Sequence, residues 1–235
     1  MRRIIAVGAM VSALVPAVPA HASSLVFAEE FTGGLAKWTR QTGCGWGNGV
    51  ELQCYTASGK NAAVKNGVLT ISALKQRYQN RAYTSARLAS KFTLTTGDVK
   101  VRARMSRAQR GAWPAIWTLG QPEAQWPKYG EIDLMENGLD GVWTPQYHVH
   151  TSTSGAGGSY RGLDATKWHI YEARYRTGKV MFLVDGKTYA TKTYKVPAGS
   201  QSDIILNVAV GGAAGKPASA WKTSTLQVDY VRVYR

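Results

Sequence analysis

The 235-residue chain holds only 14 Asp and Glu, yet three of them fall within six positions, in the run Gly130-Glu131-Ile132-Asp133-Leu134-Met135-Glu136-Asn137. In a regular strand Glu131, Asp133 and Met135 share one face and Glu136 points to the other; one extra residue, a β-bulge, returns Glu136 to the first face. We take Met135 as that extra residue. Four strand steps of about 3.3 Å set the outer Cα atoms roughly 13 Å apart. Side chains leaning inward then bring the two Glu carboxyls toward the ~5–5.5 Å at which one serves as nucleophile and the other as acid and base in glycoside cleavage with retention. A solvated acidic face or a calcium cluster would use the same residue types. The surroundings argue against both: Trp113, Trp117, Trp126 and Tyr129 lie just upstream, and like charges among aromatics are costly without a function. Aromatic faces also stack on the C–H faces of sugar rings. Downstream, His148 and His150 share a strand face. Without a third convergent ligand they read as hydrogen-bonding groups and not as a metal pair.

The elements that must position these groups are strands. Val99, Val101, Ala103 and Met105 alternate with Lys100, Arg102 and Arg104, the period-two pattern of a strand with one buried face. Runs rich in β-branched and aromatic residues recur at 68–73, 168–176, 204–210 and 226–234, and Asp185-Gly186 between 180–184 and 188–193 predicts a hairpin. No amphipathic pattern long enough for a helix of twelve residues is present, and the 25 Gly supply turns. Many short antiparallel strands predict an all-β sandwich of the jelly-roll kind. The segment 151–159, rich in Ser, Thr and Gly, reads as a flexible loop.

Residues 1–22 read as a secretory leader: Arg2 and Arg3 precede an apolar stretch from Ile4 to Val15, and Ala20-His21-Ala22 fits a small-x-small cleavage site. The apolar stretch is short for a membrane span and no later one approaches that length. Residues 23–235 are then one secreted domain. The 29 Lys and Arg less the two of the leader leave 27 against 14 acids, net +13, a charge made by scarcity of acids and not by basic runs. Such a pattern argues against a tail-driven nucleic-acid binder; Arg102, Arg104, Arg107 and Arg110 fit a solvated face. The two cysteines, Cys44 and Cys54, are expected to pair as a disulfide in an oxidising compartment. They are too few for a zinc site.

The acidic run resembles the signature of glycoside hydrolase family 16, in its laminarinase-like form with an extra residue before the last Glu. Other segments follow in that family's order: Trp46-Gly47-Asn48 with Glu51-Leu52-Gln53, Tyr83 to Leu88, Gly111 to Trp117, His150, Trp168-His169, Val184-Asp185-Gly186, Asn207 to Gly212 and Val228 to Tyr234. The resemblance covers essentially the whole of 23–235. It implies a concave groove of the concanavalin A-like lectin and glucanase type, and endo-acting, retaining hydrolysis of a β-glycan without a catalytic cofactor. Carried over, Glu131 is the nucleophile, Glu136 the acid/base and Asp133 the helper between them. Trp113, Trp117 and Trp126 become sugar platforms, His150 a groove residue, and Arg87, Glu51, Asn48 and Asn207 hydroxyl-binding groups. The resemblance also implies a structural calcium on the convex side at Glu30, Gly67 and Asp229.

Two departures bear on specificity. Cys54 stands where an aromatic is usual, and the run Ala213-Ala214-Gly215-Lys216 lacks a Trp often found after the Gly211-Gly212 pair. The leading expectation is a monomeric, extracellular endo-β-1,3-glucanase or β-1,3-1,4-glucanase with a polysaccharide substrate and no nucleic-acid or membrane partner. Its alternatives are a hydrolase of another glycan, such as a β-galactan, and a non-catalytic lectin-like module.

Overall fold

The computed structural model describes residues 23–139 and 143–235; the expected leader lies outside them. Two antiparallel-rich sheets of eleven and seven strands pack face to face. From edge to edge the smaller sheet runs Gly155–Ser159, Gln146–His150, Glu131–Glu136, Ala112–Gly120, Ser202–Val210, Arg87–Leu94 and Trp38–Gln41. Helical structure among the described residues amounts to short 3₁₀ turns such as Glu123–Gln125.

Alternation puts one face of each sheet inside. The strand Asp98–Met105 buries every second residue, so that Val99, Val101, Ala103 and Met105 join one core with Ile116, Ile132, Leu134 and Val208 from the smaller sheet. This matches the period-two reading. The predicted hairpin joins Lys179–Val184 to Lys187–Thr193. Asp185 and Gly186 both take positive φ, 51° and 79°, the requirement of a tight hairpin turn matched to strand twist. The basic residues Lys100, Arg102 and Arg104 face outward on the larger sheet, where Arg102 pairs with Asp229, Lys100 with Glu172 and Arg232 with Glu30.

The 151–159 segment departs from the sequence reading, because its second half, Gly155–Ser159, is an edge strand paired with Gln146–His150. Its glycines are there for space. A Cβ on Gly157 would lie 2.0 Å from His148 Cδ2, and one on Gly158 2.2 Å from the Tyr147 hydroxyl. The composition that resembles a loop is what lets this strand approach its neighbour's side chains.

Candidate active site

The site lies on the open face of the smaller sheet, in a groove of about 690 Å³. Its centre is the strand Glu131–Glu136, and the expected bulge is present, one residue earlier than the sequence suggested. Across to the neighbouring strand Ala115 pairs with Glu136, Ile116 with Met135 and Trp117 with Asp133, leaving Leu134 as the residue without a partner. On the other side Asp133 pairs with His148 and Glu136 with Gln146. Leu134 and Met135 both point into the core, which the spacing alone could not divide between them. The Leu134 carbonyl, displaced by the bulge, accepts a hydrogen bond from the buried Tyr160 hydroxyl at 2.7 Å. This carbonyl therefore keeps a partner despite the bulge.

Its effect is to put Glu131, Asp133 and Glu136 on one face. The Glu136 carboxylate is held at both oxygens: Oε1 accepts from Trp113 Nε1 at 2.9 Å, and Oε2 lies 2.6 Å from His148 Nδ1. His150 Nε2 stands 3.3 Å from Asp133 Oδ2 and 3.7 Å from Glu131 Oε1. Asp133 is only 3% exposed, and its Oδ2 has no hydrogen bond. Burial first, and then the charge of Glu136, hold Asp133 well above the usual carboxylate range. Burial, and then Asp133, push Glu131 up to about 9, with His150 opposing. Three carboxylates this close cannot all ionise cheaply, and the most buried one keeps the proton. With Asp133 neutral, the largest charge raising Glu131 disappears, although burial still raises it.

This arrangement has a stability cost with a defined sign. Both folded values lie above the unfolded ones, so the protonated forms favour folding, and their contribution fades as pH climbs from about 4 toward about 9. Asp133→Asn makes the side chain unable to ionise at any pH while keeping its size. The variant is expected to melt above the wild type at pH near 8 and to lose that advantage near pH 5; a lower melting temperature at pH near 8 would contradict the charge placement.

Trp113 and Trp117 line the groove on the strand Ala112–Gly120, and Trp126, 53% exposed, stands over its rim with its ring 5.9 Å from that of His150. Asn48 lines the groove from the loop that the Cys44–Cys54 disulfide closes. Three groups expected to bind hydroxyls line the groove and are also bonded within the protein. Asn207 accepts from Trp117 Nε1 at 2.8 Å and donates to the Tyr55 hydroxyl at 3.0 Å. Glu51 accepts from Gln53 and from Tyr55, and burial raises its pKa. The Arg87 guanidinium bonds both Glu123 oxygens at 3.0 Å, 4.4 Å from the Trp46 ring centroid and 4.9 Å from that of Trp117. These three hold the aromatic wall in place. Tyr55 and Glu123 were not legible as site residues, since each is defined by partners distant in sequence.

On the larger sheet Gly67 and Glu30 approach, with a Cβ on Gly67 falling 3.8 Å from the Glu30 carbonyl oxygen. Asp229, which would be the one carboxylate of a calcium set, is paired with Arg102 at 2.6 Å; Glu30 and Gly67 would contribute main-chain oxygens. A calcium ion requires six or more oxygens, so these three positions would hold one only with further oxygen ligands.

Paired carboxyls among tryptophans in a groove are the arrangement expected of a glycoside hydrolase. The family model for glycosyl hydrolases family 16 matches residues 49–232. A β-glucanase of Rhodothermus marinus is 37% identical over 248 residues, covering 90% of this chain and 85% of its own. The crystallised laminarinase of Rhodothermus marinus superposes with a TM-score of 0.81 at 35% identity, over 91% of this chain and 98% of that one. The catalytic domain of an endo-1,3-β-glucanase (laminarinase) from Thermotoga petrophila gives 0.79 at 29% identity, over 91% and 98%. The chain belongs to glycosyl hydrolase family 16, and its fold is that family's jelly-roll sandwich.

Proposed function

We propose that the protein is an endo-β-1,3-glucanase in which Glu131 attacks the anomeric carbon, Glu136 protonates the leaving oxygen and then activates water, and Asp133 keeps the proton that lets Glu131 ionise. The observation that carries this reading is the bulge at Leu134, which sets two glutamates on one face with a buried aspartate between them. In the first step the Glu131 carboxylate forms the glycosyl ester as the glycosidic bond breaks and the Glu136 proton goes to the departing sugar. In the second, water loses its proton to Glu136 and displaces Glu131. The reaction needs no cofactor.

The groove's charge supports a neutral substrate. Although the protein as a whole is basic, the groove is lined by Glu51, Glu123, Glu131, Asp133 and Glu136 against Arg87 alone, and Arg87 is committed to Glu123. A sulfated or carboxylated glycan would meet a negative wall. The test is release of new reducing ends from laminarin, lichenan, galactan, agarose and carrageenan. Laminarin is expected to be cleaved fastest, with lichenan next; preferential cleavage of a galactan, or binding without cleavage, would overturn the assignment. On this reading residues 1–22 export the chain, and 23–235 act outside the cell as a single monomeric domain.

A further inference from the structure

We infer that Glu131, Asp133 and His150 form a coordination site for a divalent cation of the zinc class, and that an ion seated there closes the groove to glycan. The coordination rests on geometry alone; the inhibition rests on the proposed role of Glu131. His150 is the cross-strand partner of Glu131, and its Nε2 stands 3.3 Å from Asp133 Oδ2 and 3.7 Å from Glu131 Oε1. The three side chains offer ligand atoms within 4.8 Å of one another. Zinc holds nitrogen and oxygen at about 2.0–2.2 Å in a tetrahedron, whose edges are then roughly 3.3–3.6 Å. Two edges of that figure are nearly in place. In the sequence the two histidines lack a third ligand; the strand Glu131–Glu136 supplies it, and supplies it to His150. The ring of His148 is already engaged, with Nδ1 2.6 Å from Glu136 Oε2, closer than a tetrahedral edge.

Two further observations point to a cation. Asp133 is 3% exposed and its Oδ2 has no hydrogen bond, a buried acceptor that coordination would satisfy. Five carboxylates line the groove, and Arg87, the one arginine or lysine among its lining residues, is bonded to Glu123. A dication therefore relieves a repulsion that Arg87 does not. The imidazole nitrogen selects zinc, cobalt or copper over calcium and magnesium, which take oxygen ligands. Entry is open, since the His150 side chain is 36% exposed and its ring lies 5.9 Å from that of Trp126 at the rim. Among the described residues no free thiol competes for such an ion. The other cluster of ligand type, Asp133 with Glu136 and His148, shares Asp133, so the site takes one ion at a time.

The consequence is competitive inhibition. Coordination sends to solvent any proton that the two carboxyls hold and engages the Glu131 oxygen that the proposed mechanism directs at the anomeric carbon. Ion and sugar ring claim the same place. Neither changes the other's bonds, so chelation restores the free groove.

The test uses untagged protein stripped with a chelator. Cobalt(II) is expected to give the intense visible absorption of a four-coordinate ion, saturating at one ion per chain, and zinc to displace it. His150→Phe keeps a ring and removes the nitrogen ligand; it should weaken zinc binding, measured by calorimetry, by more than about tenfold, while His148→Gln stays within about threefold of the wild type. Glu131→Gln removes a carboxylate ligand and carries the same comparison if His150→Phe fails to fold. With laminarin as substrate, zinc should raise KM and leave kcat unchanged. A missing cobalt absorption, zinc affinity that survives loss of His150 or Glu131, or a zinc effect confined to kcat would overturn the inference. The two levels separate cleanly. Metal binding with this residue dependence in a protein that cleaves no β-glucan would keep the site and sink the functional reading, whereas laminarin cleavage without metal binding would do the reverse.

Discussion

Replacing Glu131 by Gln is expected to lower kcat on laminarin by about 10⁴-fold or more, while glycan affinity stays within about threefold of the wild type. The amide fills the same volume and keeps a hydrogen-bonding oxygen, so the groove and its tryptophans are undisturbed. What it loses is the electron pair that forms the glycosyl ester. Because Glu131 is buried and pushed up to about 9, the variant should also be more stable than the parent near pH 8, the opposite of what a structural glutamate would give. Residual turnover within tenfold of wild type, measured with protein free of reversion, would remove Glu131 from the mechanism.

The second large effect is on stability and reaches the site through the core. Phe182 is fully buried and stacks on Tyr147 with ring centroids 4.7 Å apart; Tyr147 precedes His148 on the strand Gln146–His150 and packs against Tyr160 at 5.1 Å. Tyr160 in turn holds the Leu134 carbonyl at the bulge. Phe182→Ala leaves a cavity under this chain of contacts and is expected to cost about 3–5 kcal/mol, lowering the melting temperature by roughly 10 °C. The bulge should loosen with it, so kcat is expected to fall even at temperatures where the variant is folded. A melting temperature within about 2 °C of wild type would show that the two sheets do not depend on this contact.

Much of this was legible in the sequence because it follows from local rules. Alternation marks the strands, Asp185-Gly186 marks the hairpin, and the acidic run among aromatics marks the chemistry. The family resemblance placed Trp113 and Trp117 in the groove, which they line, and His150 near the acids, where it lies against Asp133 and Glu131. What was not legible depends on pairs distant along the chain. Either Leu134 or Met135 satisfies the spacing, and only the register with Ala112–Gly120 makes Leu134 the extra residue. The bond between Arg87 and Glu123, 36 positions away, has no local signal. Gly155–Ser159 reads as a loop because the reason for its glycines lies in the side chains of the next strand. The pairing of Arg102 with Asp229 across 127 positions has no local signal either.

The central claim is that two glutamates on one face of a bulged strand cleave a β-glucan by double displacement. Proton NMR of the earliest products from laminarin, recorded before mutarotation, tests it most directly. Attack by Glu131 followed by attack of water on the ester inverts the anomeric carbon twice, so the first new reducing ends are predicted to be the β-anomer. Initial appearance of the α-anomer would mean a single displacement by water, and would contradict the roles of both Glu131 and Glu136.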